Sequence, residues 1–177
     1  MKSQSRLFAS LTLVLAAIGT VSAQVQQGAP TWGGLRFGMT EAQVRSILGA
    51  KMLKPEPGPE NQPLDTSSYD AGRVVELSVD GFEGNASLIF NKGSKRLSTV
   101  TLWLTPKKDL SNRDKVIAYG RLCNDLVKKY GSPVSTQEFT TIFRSKGQSI
   151  DVFASLDEGV PNLVHIAYEP TNADKGI

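Results

Sequence analysis

Alternation of apolar and polar residues along three stretches of the chain restricts its fold more than any other feature. The stretches are residues 97–104 (LSTVTLWL), 150–156 (IDVFASL) and 163–168 (LVHIAY). Successive side chains of a β-strand point to opposite faces of a sheet, so a period of two predicts strands with one buried face. Antiparallel strands tolerate water on the other face. We therefore expect an antiparallel sheet with one open side.

Two helices are predicted around these strands. Thr40 and Gln43 form the capping-box pattern at the start of the first helix, and Gly49 ends it. The apolar side of this helix is expected to consist of Val44, Ile47 and Leu48. The second helix begins after Ser111 and ends before Gly131. Residues three or four apart on one face predict its buried stripe as Val116, Tyr119, Cys123, Leu126 and Tyr130.

The order of these elements predicts an α+β fold of two pseudo-repeated units. Each unit is expected to be a helix followed by a three-stranded antiparallel sheet, with the helices packed on one face. Further strands are predicted at 86–90, at 139–144 and from Arg73, where Val75, Leu77 and Val79 alternate with polar residues. A segment with four prolines, 51–64, is predicted to be a loop.

The expected organisation along the chain has five parts. They are a signal peptide at 1–23, a flexible N-terminal arm at 24–31, a single domain at 32–170 with units at 32–106 and 107–170, and a flexible tail at 171–177.

The first 23 residues have the pattern of a secretory signal. Lys2 and Arg6 precede an apolar run at 7–18, and the segment ends in Val21-Ser22-Ala23, which suits signal peptidase. We expect cleavage after Ala23 and a periplasmic or secreted protein. The alternative is an uncleaved anchor helix, although the run is short for a membrane span. No integral membrane segment is expected in the mature chain.

Charge and metal-ligand content exclude several functions. The chain has 20 Lys and Arg against 17 Asp and Glu, and loss of Lys2 and Arg6 would reduce its net charge to +1. A nucleic-acid partner, which selects a basic surface, is therefore not expected. One His and one Cys cannot supply a His/Cys metal cluster or a disulfide framework. We expect no metal and no cofactor.

Residues 35–49 (LRFGMTEAQVRSILG) carry a resemblance to a known family. This stretch resembles the G-M-T-x-x-x-V-x-x-x-L-G opening of the SmpA/OmlA, or BamE-like, proteins of the bacterial cell envelope. The two predicted units are similar to the tandem fold of the beta-lactamase inhibitor protein. The resemblance implies an α+β envelope module whose helices pack on one face of a sheet and whose other face or rim binds a partner protein.

The sheet face away from the helices is the predicted binding site. If Val100, Leu102 and Leu104 face the core, and Ile150, Val152, Ala154 and Leu156 do likewise, the intervening residues face outward. The candidate residues are Thr99, Thr101, Trp103, Thr105, Asp151, Phe153, Ser155 and His165. An exposed Trp among hydroxyl residues is typical of an interface. Alternatively, the Pro-rich loop or the N-terminal arm covers these aromatic residues.

These observations favour a binding module for a protein partner, in an envelope-assembly or enzyme-inhibitor role, and we expect no enzymatic activity. The first alternative is a small-molecule or lipid-binding module, which needs a closed pocket. The second is an esterase-like hydrolase using Ser155, His165 and Asp151, which needs Ser155 within hydrogen-bond reach of His165. The identity of the partner and the oligomeric state are not predicted.

Overall fold

A computed structural model describes residues 31–53, 68–137, 139–145 and 147–171 of the chain. The predicted signal peptide, residues 24–30 of the predicted arm, and all but the first residue of the predicted tail lie outside these ranges. The Pro-rich segment beyond Leu53 lies outside them as well.

The described ranges contain two α-helices and eight strands. In chain order they are α1 (Glu41–Leu48), β1 (Met52–Leu53), β2 (Ser68–Val79), β3 (Phe82–Asn91), β4 (Leu97–Pro106), α2 (Asn112–Tyr130), β5 (Ser135–Gln137), β6 (Thr140–Ser145), β7 (Gln148–Asp157) and β8 (Val160–Pro170). A 3-10 turn over Gly49–Lys51 joins α1 to β1.

The strands form one antiparallel sheet in the order β1-β2-β3-β4-β8-β7-β6-β5. The prediction of two helix-plus-three-strand units is wrong, because β4 pairs directly with β8 from Val100↔Tyr168 to Leu104↔Val164. The very short strands β1 and β5 extend the two ends of the sheet. The molecule is therefore mostly one large sheet, with two helices in its described part.

Helix α1 is short and contributes little burial. Its predicted capping box is confirmed: the Thr40 amide donates to Gln43 Oε1 at 2.8 Å and the Gln43 amide donates to Thr40 Oγ1 at 3.4 Å. Val44 is its buried residue, whereas Ile47 is exposed. Leu48 is partly buried against the same core, so two of the three predicted apolar positions of this two-turn helix contact the core.

Helix α2 packs against β8 and β6 and covers one face of the sheet, here called the core face. The predicted Ser111 cap is confirmed, with the Asp114 amide donating to Ser111 Oγ. The buried residues of α2 are Ala118, Leu122 and Leu126, which lie four apart. The predicted stripe is confirmed in part: Leu126 is buried, and Tyr119 and Tyr130 pack partly buried against the core. Val116 is exposed and Cys123 is half-buried, so Ala118 and Leu122 take the central positions instead.

Two irregularities correct the predicted strand faces. The pairing of β2 with β3 shifts between Val74 and Leu77, and Glu76 adopts a positive φ of 61°. Val74 is buried, and the register shift breaks the simple alternation predicted for this strand. A second register shift follows Ser155, so Leu156 is exposed instead of facing the core.

Candidate functional site

The eight predicted site residues lie on the sheet face that points away from α2, here called the open face. Each alternates with a buried neighbour on β4, β7 or β8, such as Leu102, Val152 and Ile166. The register thus brings the eight residues to one side of the sheet, although they come from three strands. This placement follows from the period of two and from the β4–β8 pairing.

Three ring-bearing residues form one line across the centre of the open face. Trp103 of β4 pairs with His165 of β8, and His165 pairs in turn with Phe153 of β7. The Trp103 and His165 ring centroids lie 4.3 Å apart at an interplanar angle of 34°. Trp103 is 42% exposed and Phe153 is 41% exposed. We call these three residues the aromatic row.

Small polar residues extend the aromatic row at both ends. Asn85 of β3 pairs with Trp103, and Thr140 of β6 pairs with Phe153. The five paired residues therefore span five neighbouring strands. This gives the face an apolar centre and polar ends, which is the arrangement of a protein interface with a polar rim.

Thr101 lies on the open face but is only 6% exposed. It sits between Ser87 of β3 and Ala167 of β8 in the next row of pairs. Thr101 therefore faces outward as predicted but offers little surface to a partner.

The remaining polar residues of the open face differ in their hydrogen bonds and their exposure. Asp151 Oδ1 accepts a hydrogen bond from Ser149 Oγ at 2.7 Å. The exposed Thr105 hydroxyl donates to the Glu83 carbonyl oxygen at 3.3 Å. Thr99 is half-buried. Asp151 thus supplies an oriented carboxylate close to the aromatic row.

His165 is kept largely neutral at neutral pH by its surroundings. Burial lowers its pKa from the ordinary value of 6.5, and the negative charge of Asp151 opposes this by raising it. A neutral imidazole stacked on Trp103 is an apolar surface with polar ring atoms. The row therefore presents a nearly uncharged strip to solvent above pH 6.5.

The geometry required by the hydrolase alternative is not formed. The neighbours of His165 across the sheet are Trp103 and Phe153, whereas Ser155 pairs with Leu163. In the described part of the chain, no side-chain hydrogen bond joins Ser155 to His165. The Asp151 carboxylate accepts a hydrogen bond from Ser149 Oγ, and its negative charge acts on His165 electrostatically.

The ligand-binding alternative requires a pocket, and the core side of the sheet contains one. A cavity of about 160 Å³ lies between α2 and strands β4 and β8. Pockets for drug-sized ligands measure about 300 to 1,000 Å³, so this cavity is too small for a lipid chain or a large cofactor. It is separate from the open face.

Two further findings concern metals and membranes. Among the described residues, no group of three or more His, Cys, Asp or Glu side chains is placed to hold a metal ion. Neither helix in the described ranges is long and apolar enough to cross a membrane.

Sequence reasoning missed three residues of the open face. Asn85 precedes the predicted strand 86–90, and Ser149 precedes the predicted strand 150–156. Thr140 lies within the predicted strand 139–144, but the sequence pattern does not assign it to a face. Their place beside Trp103, Phe153 and Asp151 depends on strand pairing. The extension of the alternating pattern by one residue was the available signal for Asn85 and Ser149.

Comparison of the chain with protein-family models, with curated proteins and with solved structures finds no match. The resemblance to the SmpA/OmlA family and to the beta-lactamase inhibitor fold therefore stays a prediction from residues 35–49 and the order of elements.

Proposed function

We propose that this chain is an exported binding module that holds a protein partner on its open face. The single observation that carries the proposal is the aromatic row, in which Trp103 and Phe153 expose 42% and 41% of their surface at the centre of a sheet. Trp is enriched among the residues that dominate binding energy at interfaces. These rings would gain most from burial by a partner.

The position of the row supports the same proposal. Trp103 and Phe153 are two strands apart, which corresponds to about 10 Å. They flank His165 on three central strands and are surrounded by hydroxyl and amide groups. A partner can therefore cover a continuous apolar strip and still find hydrogen-bond partners at its rim. Both envelope assembly and enzyme inhibition would use such a surface.

Export rests on residues 1–23 and sets the compartment of the partner. With cleavage after Ala23, the mature chain begins at Gln24 and meets its partner in the periplasm or outside the cell. The amino-terminal sequence of the protein recovered from the cell envelope tests this part. A chain that still begins at Met1 would contradict it.

The binding part is tested by parallel capture with matched variants. The full chain, carrying a C-terminal tag and its own residues 1–23, is compared with Trp103→Ala, Phe153→Ala and Ile117→Ala. Ile117 is 39% exposed on α2, on the other side of the sheet, and serves as the control. We expect a protein that wild type and Ile117→Ala retain and that Trp103→Ala loses.

The dissociation constant then gives the magnitude. With the captured protein purified, Trp103→Ala should weaken binding by about 2 kcal/mol, or roughly 30-fold. Equal retention by wild type and both aromatic variants would contradict the assignment of the open face. The unfolding midpoints of all four proteins, measured in denaturant, exclude loss of folding as the cause.

A further inference from the structure

The cavity beneath α2 is a second candidate site, independent of the open face. Its volume is about 160 Å³. Strands β4 and β8 form its floor and α2 forms its roof. The buried residues that line it are Leu102, Leu104, Leu122, Leu126, Ile166 and Tyr168.

The lining of this cavity is mainly apolar, since the partly buried Trp32 and Val79 join these six buried residues. Protein interiors are packed closely and contain few voids larger than a water molecule. A closed cavity of about 150 Å³ lined by Leu, Ile and Phe in another protein binds benzene, which indicates the size of molecule that such a volume holds. Leu104, Leu122 and Ile166 offer water no hydrogen-bond partner at the floor of this cavity. Burial of apolar surface there therefore favours an apolar occupant.

The mouth of the cavity carries both signs of charge. The exposed lining residues are Asp80, Asp125 and Lys129, so the cavity opens to solvent there. Asp125 Oδ1 accepts from Lys128 Nζ at 2.8 Å, and Lys129 Nζ lies 5.0 Å from the centre of the Tyr130 ring. With two carboxylates and two ammonium groups together, the mouth attracts neither anions nor cations strongly.

We propose that this cavity binds a small neutral apolar molecule of about six to eight non-hydrogen atoms, the size class of benzene and toluene. The volume of the cavity limits the size of the ligand, and its leucine and isoleucine walls favour an apolar one. The equal numbers of positive and negative groups at the mouth favour a neutral one. This site adds a ligand-binding function to the proposed partner-binding function and does not depend on it.

The test is a titration of the mature protein with benzene, followed by NMR of side-chain methyl groups. We expect intermolecular NOEs from benzene to the methyl groups of Leu104, Leu122 and Ile166, and none to those of Val127, which is exposed on α2. Benzene should also raise the thermal unfolding midpoint, because a ligand that binds only the folded state stabilises it.

Filling the cavity supplies the matched comparison. Leu122→Phe and Leu126→Phe each place a larger side chain in the cavity, from positions one helical turn apart on α2. Val116→Phe adds the same ring on the exposed side of α2. A folded filling variant should bind benzene at least about tenfold more weakly, with Val116→Phe unchanged. If one filling variant does not fold, the other variant and the wild-type NOEs still decide.

Two outcomes would overturn the proposal. Absence of NOEs to the three cavity residues at saturating benzene would mean that the space is already filled or is too narrow. Binding of benzoate or benzylamine more than about tenfold tighter than benzene would mean that the mouth selects charge, and the neutral ligand class would be wrong. Neither outcome bears on Trp103 or on capture of a protein partner.

Discussion

The two faces of the sheet are built by the same strands and differ in what covers them. Phe143 on β6 is buried on the core face, where the Tyr130 ring of α2 lies 6.5 Å from its own ring. Phe153 on the neighbouring strand β7 points to the open face and is 41% exposed. Residue type therefore does not decide burial here. The segments that pack on each face decide it: α2 and residues 35–44 cover the core face.

This difference assigns separate tasks to the two faces. The core face holds nearly all fully buried side chains of the described chain, including Phe82, Phe90 and Ile150. Burial of apolar surface is the dominant favourable contribution to folding. The open face contributes less to stability, so its rings are free to serve an interaction. Comparison of matched substitutions on the two faces tests this division.

The largest expected effect comes from truncating the two phenylalanines. Phe143→Ala should lower the free energy of unfolding by about 3 to 5 kcal/mol, because it removes a buried ring and leaves a cavity. Phe153→Ala should cost about 1 kcal/mol or less, because its ring is largely in water already. Chemical denaturation of both variants measures the difference. Equal losses would show that the open face is covered in solution.

A second prediction concerns the backbone that holds Trp103. Gly84 of β3 pairs with Leu104, and an added Cβ would overlap the carbonyl oxygen of Trp103. Gly84→Ala should therefore separate β3 from β4 and cost about 1 to 3 kcal/mol of stability. The shift should also disturb the stacking of Trp103 on His165, which Trp fluorescence reports.

Gly120 provides the control for this substitution. It lies in the middle of α2, and a Cβ added there would meet no atom within 4 Å. Gly120→Ala should stabilise the protein by about 0.5 to 1 kcal/mol, since Ala favours a helix over Gly. A loss of stability in both variants, or in neither, would contradict the close approach of β3 and β4 at Gly84.

The faces of the sheet could be predicted where alternation is regular. The period of two in 97–104 and 163–168 predicts that Trp103 and His165 point to the face opposite to that of Leu102 and Ile166, as the structure has them. The same rule failed at Leu156, because it follows a register shift that no residue pattern marked. A bulge adds one residue to a strand, so every later residue points to the face opposite to the one that alternation predicts. Pairing with the partner strand determines where the bulge occurs.

Strand pairing and helix rotation could not be predicted for a different reason. The β4–β8 pairing that joins Trp103 to His165 links residues 60 or more positions apart, and alternation alone does not select the partner strand. On α2, apolar residues occur on more than one side, so the pattern is compatible with burial of either Val116 or Leu122. Packing against β8 and β6 decided in favour of Leu122.

The smallest expected effect is the pH dependence caused by His165. Burial lowers its pKa in the folded protein below the value of 6.5 that it takes when unfolded. The unfolded chain therefore binds more protons between these two values, and stability falls as the pH drops below 6.5 until it passes the folded pKa. Denaturation of wild type from about pH 7.5 to about pH 5 should show this loss, and His165→Gln should lack that part of it.

The comparison with His165→Gln isolates one group because the chain has a single histidine. Other groups that titrate on acidification, such as Asp70, whose pKa is raised by burial, are shared by both proteins. Asp151→Asn sharpens the result: removal of the carboxylate that raises the pKa of His165 should lower that pKa further in an NMR titration of the ring. A folded pKa at or above 6.5 in both wild type and Asp151→Asn would mean that water reaches His165 freely. Trp103 and Phe153 would then be two separate apolar rings with a hydrated His165 between them. The open face would be more exposed, relative to the core face, than the burial of His165 indicates.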